Sequence, residues 1–314
     1  MNKKKYVNRN YLTTTRIIAL GFLITVIVGT ILLSLPIASA NGTWTDLLTA
    51  AFTSTTSVCV TGLVVVDTFS YWSLFGKGVI LILIQIGGLG IVSIITLFML
   101  LFRMKITLKS TMLLQDAFNL NSKQGLLKFT IKVIKGTFLI EGIGAFIYSF
   151  YYCREYGLLK GIWFSVFHAV SAFCNAGLDI MGADSLIPYH SNLLMMLNTS
   201  FLIIMGGIGF IVWWDTVEAF RRIRTKKCSI RSAWNGVHLQ TKIAIFMTLL
   251  LLIGGTVVIY FLERSNPDTL GNLSEKDRIL NAFFQSVTLR TAGFAAVPQA
   301  ALRPVTAFFG ALLM

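Results

Sequence analysis

Three short strings in the chain combine small residues with a glycine in the same order: Val60-Thr61-Gly62-Leu63, Asn175-Ala176-Gly177-Leu178 and Thr291-Ala292-Gly293-Phe294. Their glycines lie 115 and 116 residues apart. None of the strings carries a carboxylate, thiolate or imidazole at its glycine, so acid–base, nucleophilic and divalent-metal chemistry are poor fits. Backbone remains. Glycine reaches backbone angles that other residues avoid and leaves no side chain in the way. A turn built on it can point carbonyl oxygens at one axis and replace the hydration shell of a monovalent cation. One such string would be ordinary helix packing, but three at a near-constant period ask for a common explanation.

Each string follows a short apolar stretch, near residues 46–58, 161–174 and 278–289. At about 20 Å as helices, these are too short to cross a hydrocarbon core of about 30 Å. They suit helices that enter the membrane and stop. A helix entering from outside ends with its free carbonyls and partial negative charge in mid-membrane, which favours a cation there. Such irregular backbone survives at that depth only when packed in protein or lining a water-filled path. Between the short stretches lie longer apolar runs at about 17–40, 76–102, 133–152, 192–214 and 243–262, and a sixth begins near Val305. These read as spans. Gly87-Gly88-Leu89-Gly90 and Gly206-Gly207-Ile208-Gly209 repeat within the second and fourth spans, and we read them as sites of close helix approach.

Composition agrees with a membrane protein. Of 314 residues, 55% are apolar and 13% charged, and mean hydropathy is +0.75. Soluble domains are about a quarter charged. The net charge of +14 is arranged by side. Lys3, Lys4, Lys5, Arg9 and Arg16 precede the first span. Arg103, Lys105, Lys109, Lys123, Lys128, Lys132 and Lys135 separate the second and third, and Arg221, Arg222, Arg224, Lys226, Lys227, Arg231 and Lys242 the fourth and fifth. These hold 19 of the 27 basic residues, which places the N-terminus and both loops in the cytoplasm and makes nucleic acid a poor explanation of the charge. Ala38-Ser39-Ala40 after an apolar run imitates a signal-peptide cleavage site, but the run is too long. Cys59, Cys153, Cys174 and Cys228, like His168, His190 and His238, are dispersed and lack metal-ligand spacing. No phosphate-binding glycine–lysine string is present, and no cofactor is expected.

The stretch from Phe52 to Thr68 (FTSTTSVCVTGLVVVDT), Gln85 to Gly90 (QIGGLG), Phe167 to Leu178 (FHAVSAFCNAGL) and Thr288 to Phe294 (TLRTAGF) resembles the Ktr/Trk/HKT superfamily of potassium transporters, most closely its KtrB-type membrane subunit. The resemblance implies an all-α polytopic membrane protein with repeated helix–pore helix–filter loop–helix units in a pseudo-fourfold pore. Divided that way, the chain has a cytoplasmic tail (1–15), a first repeat (16–105), a second with its preceding loop (106–220) and an incomplete third (221–314). The filters would be Cys59, Val60, Thr61, Gly62 and Leu63; Cys174, Asn175, Ala176, Gly177 and Leu178; and Arg290, Thr291, Ala292, Gly293 and Phe294. The carbonyls of Val60, Thr61, Asn175, Ala176, Thr291 and Ala292 would hold K⁺ as the transported ion. Glycine at all three key positions favours K⁺ over Na⁺ in this family. The resemblance further implies a cell-membrane homodimer, a KtrA-like cytosolic nucleotide-binding regulatory subunit and contact with membrane lipids, and no enzymatic activity. It also implies a fourth repeat and a broken, gating third inner helix, so these 314 residues are expected to be a C-terminally truncated form that does not conduct alone.

Other residues have local readings. Glu141 lies inside a span and is expected to pair with a buried donor or to act near the ion path. Asp67 follows the first glycine turn, where it can gather cations or close a local loop. Arg290 is expected to find a carboxylate or backbone partner, with Asp67 a candidate. His168 reads as a packed helix residue. A sodium or mixed K⁺/Na⁺ transporter of the same fold, a membrane enzyme built on Glu141, His168 and Asp179, and a non-conducting fragment that only binds partners are the rival readings.

Overall fold

The computed structural model describes residues 14–90, 93, 126–182, 184–226 and 229–314. Among them the regular structure is helical, and the only extended pairing is an isolated bridge between Ser39 and Trp72. Three units repeat one order. The first has an outer helix α1 (Thr14–Ser34), a short helix α2 (Leu47–Cys59), a single turn α3 (Thr68–Tyr71) and an inner helix α4 (Leu74–Leu89). The second has α5 (Leu126–Tyr156), α6 (Leu158–Phe173) and α7 (Leu193–Gly207), continued by α8 (Phe210–Lys226) and α9 (Ile230–Asn235). The third has α10 (Leu239–Glu263), α11 (Glu275–Thr288) and α12 (Pro304–Leu313).

Local chemistry sets these boundaries. The Asp46 side chain caps α2 by accepting from the N–H groups of Leu48 and Thr49, and Ser274 caps α11 by accepting from Asp277 N. Asn192 does the same for α7, and Pro304 opens α12 where its missing N–H costs nothing. In the first two units the short helix packs between the outer and inner helices of its own unit, and in the third α11 packs on its outer helix α10; α4 and α7 also pack against the short helix of the following unit, α6 and α11. Two of these seats are alike. Ser54 Oγ donates to Val26 O, with Gly29 beside it, and Ser286 Oγ donates to Leu252 O, with Gly255 beside it.

Several expected spans differ from the observed helices. The first stops at Ser34 instead of reaching residue 40, because Leu35 precedes Pro36 and adopts an extended backbone (φ −64°, ψ 144°). The third is longer than expected, at 31 residues. The run 192–214 is not one straight span: α7 and α8 meet at a bend of 101°. Gly209, at φ +94°, makes the corner. Trp213 Nε1 donates to Met205 O at 2.9 Å and so satisfies a carbonyl freed at the end of α7. The second span is described only as far as Gly90 and at Ser93, and the basic residues between 101 and 125 and Cys228 lie outside the described residues.

Candidate functional site

Each short helix ends at one of the three glycine strings, and the backbone there is unusual in the same way each time. Val60 (φ +56°), Asn175 (φ +58°) and Thr291 (φ +78°) are left-handed, although none is glycine. Two residues on, Gly62 (φ +74°), Gly177 (φ +61°) and Gly293 (φ +86°) are left-handed again, while Thr61, Ala176 and Ala292 between them are not. This alternation turns successive peptide planes the same way, so that neighbouring carbonyls can share a face.

The three turns meet. A β-carbon added to Gly62 would lie 2.8 Å from the Ala176 carbonyl oxygen. One added to Gly177 would lie 2.9 Å from Gly293 Cα and closer still to the Ala292 carbonyl oxygen. One added to Gly293 would lie 3.3 Å from Gly177 Cα and 3.9 Å from Gly62 Cα. The first glycine thus faces a carbonyl of the second turn, and the second glycine a carbonyl of the third. Only hydrogen occupies the space between them.

A hydroxyl in the last turns of each short helix straps its own loop. Thr56 Oγ1 pairs with Thr61 Oγ1 at 2.6 Å and accepts from Leu63 N at 3.0 Å. Ser171 Oγ donates to Leu178 O at 2.5 Å, and Thr288 Oγ1 to Phe294 O at 2.7 Å. These three residues were missed as a set in the sequence. Their signal was present as a hydroxyl six, six and five residues before the glycine. Behind the loops, the paired glycines of the inner helices admit backbone. A β-carbon on Gly87 would lie 3.0 Å from the Val58 carbonyl carbon, and one on Gly206 would lie 2.8 Å from that of Phe173. Close approach was the expected role of both strings. The last glycine of each does something else: Gly90 (φ +78°) and Gly209 stand where α4 and α7 end.

Two cavities flank the turns. One, of about 320 Å³, is lined by all three glycines together with Asp67, Asp179 and Ser185. The other, of about 260 Å³, is lined by Arg290, Thr291, Gly207, Leu251 and Met314. A larger groove of about 930 Å³ between α5 and α7 lies away from the turns, has no charged residue in its lining, and belongs to the outer apolar surface. In the first of these cavities, Asp67 caps α3. Burial pushes its carboxyl up, but hydrogen bonds from the Ser70 hydroxyl and the N–H groups of Ser70 and Phe69 outweigh this and hold it below the ordinary value. Asp179 is shifted upward by burial, against hydrogen bonds from Ser185 and Met181 N. Two bonds join the second and third units: Leu186 N donates to Ala295 O at 2.9 Å, and the buried Asn281 donates to His190 O at 2.9 Å.

Arg290 does not meet Asp67, which lines the opposite cavity. Its guanidinium reaches the Thr248 hydroxyl on α10 at 3.5 Å, so the expected carboxylate or backbone partner is corrected to a hydroxyl contact. Glu141, 4% exposed on α5, accepts from Gln85 Nε2 of α4 at 3.1 and 3.3 Å. His168 is buried against Tyr148, Tyr152 and Phe294, and neither ring nitrogen has a partner among the described residues. No hydrogen bond links Glu141, His168 and Asp179, the trio of the enzyme reading. Among the described residues no group of three or more His, Cys, Asp or Glu side chains could hold a metal, and Cys59, Cys153 and Cys174 are free thiols.

Comparison with known families gives a match over residues 3–314 to TrkH, described as a cation transport protein. The chain belongs to the TrkH family. This is a family of membrane ion transporters, not of enzymes. The TrkH-family chain is 40% identical over 289 residues to the potassium/sodium uptake protein NtpJ of Enterococcus hirae, covering 92% of this chain and 61% of that one. It is 37% identical over 315 residues to Ktr system potassium uptake protein B of Bacillus subtilis, covering 100% and 67%. The chain thus spans about two thirds or less of the length of these curated relatives. Among solved structures, the potassium transporter TrkH from Vibrio parahaemolyticus aligns with a TM-score of 0.62 at 15% identity, over 98% of this chain and 57% of that one, which assigns the TrkH helical fold.

Proposed function

We propose that the chain acts as the membrane subunit of a K⁺ uptake system. The three glycine turns would contribute to a backbone filter that holds dehydrated K⁺ on the carbonyls of Val60, Thr61, Asn175, Ala176, Thr291 and Ala292. The observation that carries this reading is the meeting of Gly62, Gly177 and Gly293 between two cavities, each two residues past a left-handed residue. Carbonyls of Ala176 and Ala292 already face the neighbouring glycine, as a shared coordination shell requires. The C-terminal ends of α2, α6 and α11 add partial negative charge there. Cys59, Cys174 and Arg290 enter the turns, and Leu63, Leu178 and Phe294 leave them. Asp67 would raise cation concentration at the mouth, while Glu141, held by Gln85, would act from behind the second turn.

The names of similar proteins favour potassium, and one of them also names sodium, so mixed K⁺/Na⁺ uptake is the second reading. On our reading the protein lies in the cell membrane with its N-terminus and basic loops in the cytoplasm. It works as a homodimer with a nucleotide-binding, KtrA-like cytosolic subunit, in contact with membrane lipids and without nucleic acid or a cofactor. Rubidium and sodium uptake, measured in cells without their own K⁺ systems and expressing the complete gene, tests the proposal. Rubidium uptake should exceed sodium uptake. Sodium flux above rubidium flux would replace it with the sodium reading.

A further inference from the structure

The α7–α8 corner has a geometric consequence. Helix α7 has 15 residues, which is about 22 Å of travel. Crossing upright from the outer boundary, as the proposed orientation has it, α7 would turn about 8 Å short of the far side of a core about 30 Å thick. The 101° bend then sends α8 nearly parallel to the membrane plane at that depth. Interfacial helices lie with their apolar face about 5–10 Å inside the headgroup boundary.

The sequence of α8 suits that position. Val217, Phe220, Arg221 and Arg224 recur at i, i+3, i+4 and i+7 and form one exposed stripe. Phe220 is 69% exposed, too much for a core aromatic. Of the arginines on this helix, Arg222 is engaged: it pairs with Glu218 at 2.9 Å and donates to Gly236 O. Asp215 is likewise taken up by His238 and Thr241. Arg221 and Arg224 have no side-chain partner among the described residues. Trp234 and Arg231 are exposed on α9, which packs against α8.

We propose that α8 is an interfacial helix that binds anionic phospholipid headgroups through Arg221 and Arg224, with Val217 and Phe220 seated among the acyl chains. Positive charge with no acid left to meet it selects an anionic surface, and the apolar half of the stripe selects a bilayer over a wet protein face. The inference rests on the helix bend, the stripe and the membrane orientation proposed above, and not on the identity of the conducted ion.

Hydrogen exchange of residues 210–226 tests it without any flux measurement. The protein, purified from its complete gene, is placed in phosphatidylcholine discs with and without phosphatidylglycerol. Phosphatidylglycerol should slow exchange across α8, and added salt should reverse part of that effect. Each arginine near an anionic surface is worth about fivefold in partition, so Arg221→Gln with Arg224→Gln should lower the gain about 25-fold. A Lys pair at the same positions should retain most of it. Exchange indifferent to phosphatidylglycerol would overturn the proposal. So would a gain untouched by the Gln pair, or protection that appears only when a cytosolic protein partner is added.

Discussion

The three glycines are equivalent in sequence but not in space, and that difference predicts an order. Placing alanine at a left-handed position costs about 1–2 kcal/mol at each of them. The added methyl then meets different neighbours. At Gly177 it would press on Gly293 Cα at 2.9 Å and on the Ala292 carbonyl, both backbone atoms that cannot swing away. At Gly62 it would meet the Ala176 carbonyl oxygen at 2.8 Å, and its next contact is a relaxed 3.6 Å. At Gly293 its nearest neighbour is 3.3 Å distant. Overpacking of the first kind costs about 1–3 kcal/mol, and the last calls for a shift of a few tenths of an ångström. Gly177→Ala should therefore lose about 5- to 150-fold more selective rubidium uptake than Gly293→Ala, with Gly62→Ala between them. Initial uptake rates, normalised to the amount of protein in the membrane and paired with sodium uptake, give the comparison. Equal losses at all three positions would mean that backbone strain alone governs the turns. A larger loss at Gly293 would refute the packing geometry.

Other expectations follow from the polar groups around the turns. His168→Phe removes two unpartnered nitrogens from an aromatic surrounding, so thermal stability should hold or rise, whereas His168→Asp should cost about 3 kcal/mol or more and be seen as a lower Tm. Glu263, fully buried at the end of α10, accepts from Asn266, Thr269 and Thr306 side chains and from Arg303 N, so Glu263→Ala should leave several donors unmet and lower Tm, while Glu263→Gln should recover part of the loss. Because the Asp67 carboxyl is held below its ordinary value, its contribution to stability is present above the unfolded value of about 3.9 and is lost only as pH falls through the lower folded value. The Asp67→Asn effect on uptake at low external potassium should accordingly be the same factor at about pH 5.5 and pH 8, and a factor that varies across that range would contradict the assignment.

What the sequence revealed depended on whether the signal was local. The short helices lie within a few residues of expectation, because Asp46 and Ser274 cap the starts of α2 and α11 and each of the three stops at a glycine turn. The early stop of α1 was also written locally, in Leu35-Pro36, and was overlooked because apolar residues continue past it. The bend after α7 is different. Gly206-Gly207-Ile208-Gly209 lies inside an unbroken apolar run, where glycine usually means close packing. The string does both jobs, and only the fold separates Gly206, seated on Phe173, from Gly209, which makes the corner. Partners distant in sequence were out of reach. Arg290 lies 42 residues from Thr248, and Gln85 lies 56 from Glu141, and nothing in either neighbourhood names the other.

The placement of charge around the turns bears on how selectivity can arise. Each buried or half-buried carboxylate near them has donors of its own: Gln85 for Glu141, Ser70 and Phe69 N for Asp67, Met181 N and Ser185 for Asp179. None sits between the glycines, where the neutral carbonyls of Ala176 and Ala292 face the neighbouring turn and, on the proposed filter reading, would meet the ion. Dipoles discriminate between ions by their number and by how firmly they are held. Here they are held from three sides. The hydroxyls of Thr56, Ser171 and Thr288 fix the loop exits. Gly87 and Gly206 let the inner helices press on the last turns of α2 and α6. The Leu186–Ala295 and Asn281–His190 bonds tie the second unit to the third. On the proposed filter reading, loosening any one of the hydrogen-bonded supports should cost selectivity before it costs folding, since each adds only about 1 kcal/mol to stability.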